Sequence, residues 1–135
     1  IAVKKFREKG ERLLNQAGMM ADHAAARLKK ILPGWKIANY VTYGSPAWEI
    51  ITKAEEFEPD LIVVGSHGQS ALSRLVLGSI SQKVLTESPF SVRISRGRNE
   101  VDPVSERIII GFDGSAGANA AVDAVAASQP GRLFR

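Results

Sequence analysis

Cysteine is absent from the 135 residues. That excludes disulfides and thiolate chemistry, and it fits a reducing compartment, so a cytoplasmic location is the expectation. Histidine is scarce: His23 and His67 are the two present. Neither stands in a His/Asp cluster at ligand spacing, so a metal site built from this chain is not expected. No apolar run approaches the roughly 20 residues that a membrane-spanning helix needs. The first residues, Ile-Ala-Val-Lys-Lys-Phe-Arg, lack the apolar stretch of a secretory leader. The net charge of +4 is modest, and the 18 basic residues are scattered among 14 acidic ones without interleaved aromatics. This reads as a solvated surface rather than a nucleic-acid face. What remains is an ordinary apolar fraction and a length that supports one domain with a real core.

The most informative stretch is Asp-Leu-Ile-Val-Val-Gly-Ser-His-Gly, which opens at Asp60 and runs on through Gly78-Ser79 to Ser81. Leu61, Ile62, Val63 and Val64 form an unbroken apolar run, the pattern of a parallel strand buried on both faces. Gly65, Gly68 and Gly78 follow, where backbone without a Cβ can approach a ligand closely. Beyond them Ile80, Val84 and Leu85 have helical spacing, which places Gly78-Ser79 at a helix N-terminus. Free N–H groups and the helix dipole favour an anion there. A strand, a glycine loop and a helix start together spell a phosphate cradle at a strand's carboxyl end. The spacing is neither the Gly-Lys-Ser/Thr pattern of a P-loop nor Gly-x-Gly-x-x-Gly.

Gly65-x2-Gly68-x9-Gly78-Ser79, preceded by Asp-Leu-Ile-Val-Val, resembles the ATP-binding motif of the universal stress protein family. The resemblance extends from Val41 to Arg96. It implies an α/β fold: a doubly wound, Rossmann-like parallel sheet of the adenine nucleotide alpha hydrolase-like kind. It also implies ATP as the ligand, with any Mg²⁺ arriving on the phosphates, and a homodimer or a tandem pairing of domains. The residues it carries over for the nucleotide are Val64, Gly65, Gly68, Arg74, Gly78, Ser79, Ile80 and Asp113. Arg74 lies in the loop that the family folds over phosphates; an exposed arginine is the plainer reading. His67 in the same loop reads as a residue that bonds backbone.

Along the rest of the chain, residues 4–32 carry apolar side chains at three- and four-residue steps, from Phe6 through Leu13, Leu14, Met20 and Leu28. They predict one long amphipathic helix stopped by Pro33-Gly34, with Gly10 and Gly18 weakening it. Residues 35–41 alternate and predict a strand. Ser45-Pro46 opens a short helix that ends before Pro59, with Trp48 as a packing residue. Residues 90–95 predict a last strand, in which Arg93 marks an edge exposed to water. In the family that edge often pairs two domains or subunits, and a charge there weighs against the standard dimer.

Residues 99–106 are polar, include Pro103, and read as a linker after a first domain at 1–98. Arg-Ile-Ile-Ile-Gly-Phe-Asp-Gly-Ser, from Arg107, then resembles the family's first strand, followed by a helix over 116–128. Residues 107–135 are therefore expected to be the first β-α unit of a following domain. Against the family the order is displaced: residue 1 stands where the second helix starts, and a first-strand unit comes last. Such a unit is expected to complete the sheet, in its own molecule or a neighbour's. Asp113, at that strand's end, would reach the nucleotide or its cation, or else form a local Asx turn. No nucleophile with an activating base is visible. Three functions stay open: an ATP-binding regulatory module of the stress response, a partner-interaction module with an empty pocket, and a slow ATPase.

Overall fold

A computed structural model describes residues 2–66, 77–95 and 109–127. The chain forms two compact units, Ile1–Gly97 and Arg98–Arg135. The first contains α1 (Ala2–Ile31), α2 (Pro46–Phe57), β1 (Ile62–Gly65), α3 (Ser79–Glu87) and β2 (Val92–Ser95); the second contains α4 (Ala116–Ala127).

β1, α3 and β2 make a βαβ unit with a parallel strand pair, Ile62 opposite Val92 and Gly65 opposite Ser95. α2 brings Ala47, Ile51 and Ala54 to one side by their spacing of four and three residues. Ala47 and Ala54 pack with Ile62 of β1 and with Val84 of α3, which is fully buried. Ile50, Val64, Phe90 and Val92 close around them. Small alanines on α2 let the helix come close, and Val84 fills the centre; burying such a side chain contributes about 2 kcal/mol. Trp48 packs at the rim, where Lys83 Nζ sits 4.6 Å from its ring centre and joins α3 to α2.

Four expectations need correction or refinement. β1 is not buried on both faces: Ile62 is buried, whereas Val63 is 58% exposed. A sheet face is buried only where another layer covers it, and the core cluster lies on the Ile62 side. Residues 35–41 are not a strand, since a strand needs a neighbouring backbone to pair with. The segment is held by side chains instead: Asn39 Nδ2 donates to Asp22 Oδ1 at 2.6 Å, and Lys53 Nζ lies 4.5 Å from the Tyr40 ring centre. Residues 109–113 likewise carry no strand, while 107 and 108 lie outside the described residues. α1 is continuous through Gly10 and Gly18, but of its amphipathic face only Ala25 is buried.

Both ends of α2 lie next to backbone with positive φ. Gly44 has φ +140°, and a Cβ there would lie 2.5 Å from Glu49 Oε1. Glu58 ends α2 in the left-handed region at φ 49°, its N–H donating to the Ala54 carbonyl at 2.7 Å. Among the described residues β2 is one of the sheet's two strands, and Arg93 is exposed on it. Among the described residues no helix is long and apolar enough to cross a membrane.

Candidate functional site

Three hydrogen bonds fix the carboxyl end of β1, one to β2 and two to the start of α3. Ser66 N–H donates to the Ser95 carbonyl at 2.8 Å, and Gly78 N–H donates to the Ser66 carbonyl at 2.8 Å. The Ser81 hydroxyl donates to the Gly65 carbonyl. Ser66 and Ser81 are 7% and 5% exposed, so these bonds form away from water, where a lost partner is costly. The clasp sets the N-terminus of α3 against the end of the strand.

Gly78 is the N-cap of α3, in extended backbone (φ −61°, ψ 148°), and among the described residues no side chain caps the helix. The first turn carries no acidic residue. Gln82 N–H donates to the Gly78 carbonyl at 2.9 Å, which starts the helical ladder. The N–H groups of Ser79, Ile80 and Ser81 precede that ladder and have no acceptor within it. With the dipole's positive pole behind them, they form an anion-receptive end. Ser79 and Ile80 are exposed at its mouth. Val64 plays another part: its side chain packs against the core, leaving its backbone to hold the strand.

Of the residues expected at the site, Gly65, Gly78, Ser79 and Ile80 are thus brought together. Gly68, Arg74 and His67 lie outside the described residues. Asp113 lies in the second unit, in an Asx turn: its Oδ1 accepts the Ser115 N–H at 2.9 Å. Hydrogen bonds from the Ser115 side chain and backbone hold its carboxyl below the usual carboxylate range. Ser115 in turn caps α4 through its hydroxyl, which accepts the Ala118 N–H at 3.2 Å.

Ser66 and Ser81 were not singled out from sequence. Ser81 was findable, since it stands three residues before Val84 and so shares the helix face that meets the strand. Ser66 gave no signal, because its bonds to Ser95 and Gly78 are made by its backbone.

A separate cleft of about 340 Å³ is lined by Tyr40, Thr42, Glu49, Ile50, Lys53, Ala54 and Phe57. Lys53 is engaged there: its ammonium binds Glu56 at 2.8 Å, which raises its pKa. None of the expected site residues lines this cleft. Among the described residues no cluster of His, Asp and Glu could hold a metal.

A parallel βαβ unit whose strand end is tied to a helix N-terminus defines an α/β protein of the Rossmann-like class. A model of the universal stress protein family matches residues 2–96. The chain belongs to that family, whose members act in the stress response. Universal stress protein MJ0577 of Methanocaldococcus jannaschii is 31% identical over 98 residues, covering 71% of this chain and 60% of that protein. Universal stress protein YxiE of Bacillus subtilis is 49% identical over 71 residues, 53% of this chain and 48% of that protein. The chain thus spans about half to three-fifths of these relatives' length. The solved structure of MJ0577, a test case for assigning biochemical function from structure, aligns with a TM-score of 0.57 at 30% identity. It covers 73% of this chain and 69% of that one.

Proposed function

We propose that the chain is a regulatory module of the stress response that binds ATP, its phosphates held at the N-terminus of α3. The observation that supports this reading is the Ser66–Gly78 clasp, which holds the N-terminus of α3, where the N–H groups of Ser79, Ile80 and Ser81 lie, beside the strand end. Gly65, Gly78, Ser79 and Ile80 form the cradle, the backbone of Val64 supports it, and Gly68 and Arg74 belong to the loop over the phosphates. Mg²⁺ would come with the phosphates. The nucleotide acts as a structural ligand without efficient turnover, because fast phosphoryl transfer needs an in-line nucleophile and charge on the γ-phosphate. Residues 1–98 act as one family domain. Residues 107–135, after the linker at 99–106, are the first β-α unit of another, able to complete a sheet and to add Asp113 to the site. The protein works in the cytoplasm, as a dimer or tandem pair.

The test is calorimetry with Mg-ATP on the full chain and on Gly78→Asp. The backbone at Gly78 suits any residue, and aspartate is a good N-cap, so the variant should fold and α3 should be reinforced. Its carboxylate would occupy the N–H groups and repel phosphate. ATP affinity should fall at least about a hundredfold, several charge-assisted hydrogen bonds being lost together. Unchanged affinity in the folded variant would refute the cradle. Saturating ATP should also stabilise the native protein by mass action, by about 2.7 kcal/mol at a hundredfold excess over the Kd.

A further inference from the structure

The junction between β1 and α3 is held at two points of different kinds. Gly78 N–H donates to the Ser66 carbonyl at 2.8 Å, a bond between backbones. The Ser81 hydroxyl, three residues further along, donates to the Gly65 carbonyl, and this bond depends on the side chain. A helix held at one point can pivot about it. A second point nearly one turn on fixes its direction against the strand. Ser81 is 5% exposed, so water is not at hand to replace the hydroxyl.

The carbonyl that Ser81 meets stands at a particular place. Bonds to β2 use alternate residues of β1 and its end: Ile62 N–H donates to the Ser91 carbonyl at 2.9 Å, and Ser66 N–H to the Ser95 carbonyl at 2.8 Å. Neighbouring residues of a strand turn their backbone groups to opposite edges, so the Gly65 carbonyl points away from β2. Gly65 is the last residue of β1. The hydroxyl bound to it belongs to the same residue as one of the N–H groups at the helix start. The negative end of the carbonyl therefore lies within one side chain's length of the anion-receptive groups. Left bare, it would oppose the positive pole of α3 for a phosphate arriving there.

We propose that Ser81 is a positioning residue of the phosphate site. Its hydroxyl takes up the Gly65 carbonyl and locks the angle of α3, so that the N–H groups of Ser79, Ile80 and Ser81 meet the phosphates together. This role rests on the ATP reading above. The hydroxyl acts through the carbonyl and the helix, while the N–H groups hold the anion. Without it the helix is free to pivot and the carbonyl faces the site, and both changes weaken the hold on an anion. Position 81 thus calls for a small side chain with a hydroxyl: threonine keeps the donor and alanine loses it.

Calorimetry with Mg-ATP on the full chain tests the role, each variant being checked for native helicity by circular dichroism. Ser81→Ala should lose about tenfold in affinity, and Ser81→Thr should bind within about twofold of the wild-type chain. Thr86→Ala is the control. The Thr86 hydroxyl also donates to carbonyls of α3, those of Gln82 at 3.0 Å and Lys83 at 3.3 Å, but near the far end of the helix. Its loss should leave ATP affinity within about twofold. A serine that only supports the fold would lower stability in Ser81→Ala and leave affinity untouched. Undiminished affinity in Ser81→Ala, an equal loss in Thr86→Ala, or no recovery in Ser81→Thr overturns the positioning role and leaves the cradle standing. A wild-type chain that does not bind Mg-ATP overturns the cradle itself, and the role of Ser81 with it.

Discussion

α1 and α2 are both amphipathic helices, yet among the described residues only α2 has its apolar face covered. α2 turns Ala47, Ile51 and Ala54 into the core beside Val84 and Ile62. α1 is more than twice as long, 30 residues against 12, and buries Ala25 alone. Phe6, a residue that should anchor such a face, is 79% exposed. The comparison teaches that periodicity declares a face but not what covers it. A helix stripe is stabilising only when a second layer removes it from water. α2 has that layer in α3 and the strand pair, and α1 meets the segment that follows it through contacts such as Asn39 to Asp22.

The sharpest way to break this contrast is to place a charge on each face. Val84→Asp puts a carboxylate at a fully buried point of the α2–α3 core. It should cost more than about 4 kcal/mol and unfold the first unit. Phe6→Asp on α1 should change stability by less than about 0.5 kcal/mol, since the ring is largely exposed. Urea unfolding followed by circular dichroism reads both. A severe loss in Phe6→Asp would show that α1 has a buried partner in solution.

A milder probe is the serine clasp. Ser81→Ala removes the hydroxyl that binds the Gly65 carbonyl in a buried setting. The loss should be about 1–2 kcal/mol in the same unfolding assay, since the carbonyl is left short of a partner. The site should loosen with it, visible as faster hydrogen exchange at Gly78 N–H.

On α1, Gly10→Ala and Gly18→Ala should each stabilise the helix by about 1 kcal/mol. A Cβ at either position meets nothing within 4 Å. The gain should appear as added helical dichroism and slower exchange along α1, with no change at Val84. Loss of helicity would mean that a close neighbour occupies that face.

The smallest effect concerns pH. Asp113 has its folded pKa lowered by its bonds from Ser115. Its support of the α4 cap is therefore present at neutral pH, above the unfolded pKa, and is lost as pH falls through the folded value, below the usual carboxylate range of about 4. The side chain is fully exposed, so the effect is confined to fraying of the first turn. An NMR titration should place the Asp113 midpoint below that of a free aspartate, and Asp113→Asn should abolish the acid-dependent part of the fraying.

Local signals were enough for much of this molecule. Pro33-Gly34 stops α1 and Ser45-Pro46 opens α2 because these residues restrict backbone choice within a single turn. Gly78-Ser79 marked the start of α3, and so the anion-receptive end, because helical spacing begins directly after it. Tertiary structure decided what depends on a neighbour. Residues 35–41 and 109–113 alternate or run apolar like strands, but pairing is a property of two segments, and their own residues do not supply the second. Val63 reads like Ile62 and ends up exposed, because burial depends on which layer lies over each face. Ser66, which stands in no motif position, joins strand and helix through its backbone: a carbonyl finds its donor only once the two have been brought together.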